Sequence, residues 1–124
     1  MCILIADDVN HNIMVMSKRL STINSLWPVT HYENAEDAVS AAKKNKFNLI
    51  ILDEQFGPGK MTGMEAIQAI RANEQASGQT ASVIVSWTAT LMELPPGADF
   101  MWPKDANAAM MQEAIGRALA TVGN

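Results

Sequence analysis

The sequence predicts a single α/β domain in which a parallel sheet of five strands is covered by helices on both faces, and three observations lead there. Short apolar runs alternate with longer segments of helical period, which is the rhythm of a parallel sheet. Three of the five strand candidates are nearly unbroken apolar runs, as strands covered on both faces require. With 124 residues, 48% of them hydrophobic and 18% charged, the chain is long enough to bury one core in one domain spanning 1–124.

In chain order, the first strand is expected at Cys2 to Ala6. In the helix that follows, Ile13, Met16, Leu20 and Ile23 recur at steps of three and four and form one apolar stripe. A second strand, Val29 to Tyr32, leads to a helix from about Ala35 to Asn45, N-capped by Asn34 and packed through Ala38, Val39 and Ala42. The third strand, Asn48 to Leu52, gives out at Asp53. Thr62 with Glu65 forms a capping box ahead of Met64, Ile67 and Ile70, and Gly78 supplies the stop. Strands follow at Val83 to Trp87 and Asp99 to Trp102. The last helix begins near Asp105 or Asn107 and sets Met111, Ile115, Leu119 and Val122 on one face, with Gly116 a mild weakness. The connection from Ala89 to Ala98 differs from the others, because Pro95 and Pro96 end any helix capped by Thr90 after about one turn. A loop or a single turn is expected there.

Composition excludes several classes. The net charge of -4, with nine dispersed basic residues, argues against direct nucleic-acid binding and against an anionic membrane surface. No apolar run is long enough to cross a bilayer, so no membrane insertion is expected. Nothing resembling a secretory leader precedes the first strand, and the single cysteine, Cys2, cannot form an internal disulfide, so a reducing, cytoplasmic setting is expected. The chain begins and ends close to its outer elements, as an excised domain or a minimal single-domain protein would. Cys2 and His31 read as packing positions, the methionines as adaptable core filler, and Lys43, Lys44 and Lys46 as a solvated helix end.

An open parallel sheet ends all its strands along one edge, and ligands bind outside those carboxyl ends. The residues just past each apolar run therefore carry the chemistry: Asp7 and Asp8, Asp53, Thr88 and Lys104. Three carboxylates brought together repel one another unless a cation sits among them. Oxygen donors with no His or Cys cluster suit Mg²⁺, and Lys104 adds a compact positive charge for the same anion. His11 has no such partners and reads as a surface residue. An aspartate beside Mg²⁺ and lysine is equipped to attack phosphorus, which makes Asp53 a candidate phosphoacceptor.

At this point the chain resembles the receiver domain of two-component response regulators, including receivers carried by hybrid sensor kinases. "ILIADDVNHN" is similar to that family's first strand and acidic pair, and "LIILDEQFGPGKMTGMEAIQAIR" to its phosphoacceptor strand, loop and third helix. "VIVSWTA" and "GADFMWPK" are similar to the runs ending at its hydroxyl residue and its lysine. The resemblance implies a flavodoxin-like three-layer fold with strand order 2-1-3-4-5. It implies that Asp7, Asp8, Asp53 and the backbone carbonyl of Gln55 hold Mg²⁺. Asp53 would take phosphate from a phosphohistidine on a sensor histidine kinase or a histidine phosphotransfer protein, Thr88 would turn toward it, and Lys104 would bind it. An output domain or a downstream protein would read the change. Such a module is a switch rather than a turnover enzyme, and catalyses only its own aspartyl phosphorylation and hydrolysis.

The chain departs from the family in three places. Proline usually follows the lysine, whereas here Pro103 precedes Lys104, so a one-residue slip that puts Pro103 in the lysine's place stays open. The stretch from Thr88 to Lys104 is short, so the family's fourth helix is expected to be short or absent. The family's aromatic switch position falls on Met101, between Phe100 and Trp102. Finally, "QFGPGKMTG" exceeds the usual loop by about two residues if Gly63 is the matching glycine. The misplaced proline and the shortened fourth helix favour the alternative, a pseudo-receiver that binds a protein without a phosphate cycle, while the retained acids, Thr88 and Lys104 favour the phosphoacceptor. A haloacid-dehalogenase-like phosphatase would want a second aspartate at Gln55, and a flavodoxin-like cofactor binder would want a phosphate loop where Asp7 and Asp8 stand.

Overall fold

The computed structural model describes residues 1–90 and 93–122; Leu91 and Met92, in the expected short connection, and the last two residues lie outside it. Its elements are β1 (Ile3–Ala6), α1 (Asn10–Ile23), β2 (Val29–Tyr32), α2 (Ala35–Lys44), β3 (Leu49–Asp53), α3 (Gly63–Ser77), β4 (Val83–Thr88), β5 (Phe100–Pro103) and α4 (Ala108–Leu119). All strand pairs are parallel, and the order is β2-β1-β3-β4-β5. Among the described residues no helix lies between β4 and β5, in line with the two prolines there.

Alternation along the strands divides the core in two. Ile3, Ile5, Leu49, Ile51, Val83 and Val85 face Ile13, Met16 and Leu20 of α1 and Met111, Ala114, Ile115 and Ala118 of α4. Leu4, Ala6, Ile50, Leu52 and Ile84 face Ala38, Val39 and Ala42 of α2 and Ala66, Ile67 and Ile70 of α3. Each fully buried aliphatic side chain contributes roughly 1.5–3 kcal/mol, so the sheet is a rigid mount for whatever its ends carry.

The helix starts follow local chemistry. Asn34 Oδ1 accepts the Asp37 amide at 2.7 Å, with Glu36 and Asp37 in the first turn of α2 and Lys43 and Lys44 in the last. At α3 both halves of the Thr62–Glu65 capping box form, and Gly78 closes the helix at φ 71°. Between the two candidates for the start of α4, Asn107 is the cap, accepting from the Met110 amide at 3.0 Å.

Several sequence expectations need correction. β3 runs one residue further than expected and takes in Asp53, and β4 takes in Thr88, because the ladder pairs Asp53 with Trp87 and Thr88 with Pro103. Cys2 and Asn48 lie just outside their strands. In α4 the inward face is Met111, Ala114, Ile115 and Ala118; Leu119 is exposed, and Val122 lies beyond the helix. Ile23 and Met64 are likewise exposed, one at the last turn of α1 and the other at the first of α3. His31 does not pack: β2 is an edge strand, and this side chain faces solvent. Lys46 is half-buried, donates to the Thr80 carbonyl, and is drawn below its ordinary pKa by burial.

The stub ahead of β5, at 93–98, is fastened to α3. Arg71 donates to the Gly97 carbonyl (2.9 Å), the Ser82 carbonyl (2.8 Å), Glu74 (2.8 Å) and Asp99 (2.9 Å). Gln68 adds a bond to the Pro96 carbonyl at 2.7 Å, and Pro95 is buried beneath. The start of α3 is fixed more tightly still. A Cβ on Gly63 would stand 2.3 Å from the Asp53 carbonyl oxygen and 3.0 Å from Glu54 Cα, both backbone atoms that cannot swing aside. Gly63→Ala is therefore expected to destabilise the fold by about 1–3 kcal/mol through overpacking, read as a lower urea midpoint. An unchanged midpoint would show that α3 can back away from β3 freely.

Candidate phosphoacceptor site

β1 and β3 stop at the same edge and deliver Asp7 and Asp53 side by side, with Asp8 one residue on. Carboxylate oxygens of Asp7, Asp8 and Asp53 all lie within 4.8 Å of one another. Asp7 is fully buried, Asp8 is exposed, and Asp53 lies between. Asp7 is held through both oxygens: Oδ1 accepts the Val9 amide at 2.8 Å, and Oδ2 accepts Asn12 Nδ2 at 3.2 Å. These bonds tie the acidic pair to the start of α1, which has no side-chain cap of its own.

Lys104 is the first residue past β5, and its ammonium reaches back between the acids. Nζ bonds Asp7 Oδ2 and lies 3.2 Å from Asp53 Oδ1. The open question of a slip is settled by register: Pro103 pairs with Thr88 as the last residue of β5, so Lys104 occupies the position facing the carboxylates. Its carbonyl accepts Arg19 NH1 of α1 at 3.1 Å, and its ammonium stands 4.1 Å from the centroid of the Trp87 ring. Trp87 and Trp102 are both buried, and the Lys104 ammonium lies over the Trp87 ring.

Burial pushes the Asp53 carboxyl up to about 6; the Lys104 ammonium opposes that rise, and Asp7 adds to it. Burial also raises Glu54, whose Oε2 has no hydrogen-bond partner among the described residues. Glu54 amide donates to Asp53 Oδ1 at 2.9 Å, which orients the carboxylate.

A cavity of about 560 Å³ opens over the edge, lined by Asp8, Asn12, Asp53, Gln55, Thr88 and Lys104 among others. All the sequence-predicted residues thus converge; Asp7, which is buried and does not line the cavity, joins them through the acidic cluster and its bond to Lys104. Thr88 is present but turned to its own loop: its hydroxyl donates to the Thr90 carbonyl at 3.0 Å and accepts the Thr90 amide at 3.1 Å. Met101, at the position of the family's aromatic switch, lines a smaller cavity of about 290 Å³ with Thr88, Pro103 and Met110. Asn12 and Arg19 were not singled out from sequence as site residues. Spacing alone did not decide whether Trp87 packs or flanks the site; its pairing with Asp53 puts both on one face of the sheet.

Comparisons with known proteins agree with this geometry. The family model described as response regulator receiver domain matches residues 3–115. No curated relative matches at a significant level. Among solved structures, a co-crystal of the Saccharomyces cerevisiae phosphotransfer protein Ypd1 with the receiver domain of Ssk1 gives a TM-score of 0.81 at 22% identity, covering 99% of this chain and 93% of that one. TrrA from Thermotoga maritima, in complex with Mg²⁺ and BeF, gives 0.77 at 21% identity, covering 94% and 97%. The receiver domain of the Arabidopsis thaliana histidine kinase CKI1, complexed with Mg²⁺ and BeF₃⁻, gives 0.76 at 20% identity, covering 93% and 89%. With the family model matched over nearly its whole length and the acids, hydroxyl and lysine gathered at one sheet edge, the chain belongs to the response regulator receiver domain family, the phosphoaccepting module of two-component signalling.

Proposed function

We propose that Asp53 takes a phosphoryl group from a phosphohistidine of a sensor histidine kinase or a histidine phosphotransfer protein, and that an output domain or a downstream protein reads the result. One observation carries this reading: Asp53 sits at the rigid end of β3, 3.2 Å from the Lys104 ammonium, with two more carboxylates in reach of one shared cation. The relatives solved with Ypd1 and with Mg²⁺ and beryllium fluoride support it. Asp7, Asp8, Asp53 and the backbone carbonyl of Gln55 would hold Mg²⁺, since the donor set is all oxygen and its mutual repulsion calls for a divalent charge. When bound, this ion supplies Lewis-acid neutralisation of phosphoryl oxygens.

The chain's own residues do the rest. An Asp53 carboxylate oxygen attacks phosphorus in line, a P–O bond forms, and the P–N bond to histidine breaks. The ring nitrogen leaves with the bonding pair and takes up a proton. Lys104 passes from the carboxylates to a phosphoryl oxygen, offsetting the charge that gathers there. Thr88 exchanges its bonds to Thr90 for one to the phosphoryl group, and the loop after β4 is the element released. The module works in a cytoplasmic setting and acts as a switch rather than a turnover enzyme, with no nucleic acid and no membrane insertion of its own.

Incubation with acetyl phosphate should add one phosphoryl group by intact mass when Mg²⁺ is present and none when it is chelated. Absence of both an adduct and bound metal would contradict the proposal and favour a pseudo-receiver, with the stub fastened to α3 as its distinctive surface.

A further inference from the structure

We propose that Trp87 is a positioning residue for Lys104, its indole face carrying the ammonium and fixing the direction from which it meets the phosphoryl group. The inference rests on the phosphoacceptor reading above and adds a residue outside the acid, hydroxyl and lysine set.

Trp87 is the next-to-last residue of β4 and the ladder partner of Asp53, so both side chains leave the sheet on the same face. Lys104 Nζ stands 4.1 Å from the ring centroid, inside the roughly 6 Å range of a cation–π contact, while lying 3.2 Å from Asp53 Oδ1. One ammonium therefore has a fixed floor and faces the nucleophile. It needs such a floor, because a lysine ammonium is a strongly hydrated point charge on a flexible stem. The root of this stem is fixed by Arg19 on the Lys104 carbonyl, and the tip by the ring together with the Asp7 and Asp53 carboxylates.

A second observation separates this role from simple packing. Trp87 is 1% exposed, and its indole N–H has no acceptor among the described residues. Phenylalanine would fill much of the same space without leaving a buried donor unsatisfied, so packing alone gains nothing from the indole nitrogen. What tryptophan adds is the stronger π face. Stability and phosphorylation rate should then part company in Trp87→Phe.

The contact itself is tested first, on metal-free protein, by NMR of the lysine side chains. The Lys104 ε-methylene protons, identified by their loss in Lys104→Arg, should be shifted upfield by the indole ring current, and Trp87→Leu should abolish the shift. No upfield shift in the wild type would overturn the proposal. The role is tested with acetyl phosphate and Mg²⁺. Trp87→Leu should lower the limiting rate about tenfold, with half-saturating concentrations of acetyl phosphate and Mg²⁺ within about twofold of wild type. Trp87→Phe should recover the rate to within about threefold and melt no lower than wild type. Because leucine could unsettle the core, tryptophan fluorinated at position 87 provides an isosteric series in which the rate should fall stepwise as the π face is depleted. A wild-type rate in Trp87→Leu, a flat fluorination series, or a Trp87→Phe slowed only as far as it is destabilised would each overturn the positioning role and leave the phosphoacceptor reading standing. A wild type that takes up no phosphate would remove both.

Discussion

Asp53→Asn is expected to abolish phosphoryl uptake and, in the same protein, to raise the stability of the metal-free fold near neutral pH. The first effect follows from losing the nucleophile. The second follows from burial, which lifts the Asp53 carboxyl from 3.8 to about 6 against the pull of Lys104. An acid with a raised folded pKa binds its proton more tightly when folded, so its contribution to stability is lost as pH rises from about 4 through about 6. At about pH 7.5 the wild type carries that loss in full and the asparagine variant does not. Urea midpoints should therefore favour Asp53→Asn at about pH 7.5 and converge below about pH 4, where the wild-type carboxyl is protonated in both states. Added Mg²⁺ should stabilise the wild type more than the variant. A variant less stable than wild type at pH 7.5 without metal would mean that the Lys104 ion pair outweighs burial. Phosphorylation of the wild type should also slow as pH falls below about 6, where the carboxylate nucleophile is titrated away, unless bound metal moves that limit lower.

Arg71→Leu carries the largest expected loss of stability, about 3 kcal/mol or more. Its guanidinium joins α3 to the stub and to β5 through Glu74, Asp99 and the carbonyls of Ser82 and Gly97. Glu74 Oε2 in turn accepts the Ser82 amide at 2.7 Å, and Asp99 Oδ2 accepts the Ile84 amide at 2.9 Å. Removing the cation leaves the buried Glu74 carboxylate without its ion pair beside the start of β4, and leaves Asp99 with only the more exposed pair to Arg117 at 3.3 Å. The loss should appear as a lower urea midpoint, with proteolysis beginning in the stub at 93–98. A variant as stable as wild type would show that the stub needs no such fastening.

The residues that could be placed from sequence share one property: each is defined by where a local pattern stops. Apolar runs end at Asp7 and Asp53, and a period-two strand has one face at each position, so the acidic edge is legible in the sequence alone. The capping residues Asn34 and Thr62 were legible for the same local reason. Leu119 and Val122 were misplaced because the apolar stripe outlasts the helix, which stops at Leu119. His31 was misplaced because burial of β2 depends on its being an edge strand, a fact of sheet order rather than of composition. The order of Pro103 and Lys104 obscured the lysine until the pairing of Thr88 with Pro103 set the register. Arg19 and Arg71 act across 85 and 28 positions, on the Lys104 carbonyl and on Asp99, and no periodicity reports contacts of that span.

Whether Asp53 is the phosphoacceptor is decided by locating the adduct. Protein treated with acetyl phosphate and Mg²⁺ would be reduced with borohydride, which converts an aspartyl phosphate to homoserine, and then mapped by peptide mass spectrometry. Homoserine is expected at position 53 alone, and nowhere in Asp53→Asn. Homoserine at another position in the wild type, or a phosphoryl adduct that persists in Asp53→Asn, would contradict that assignment.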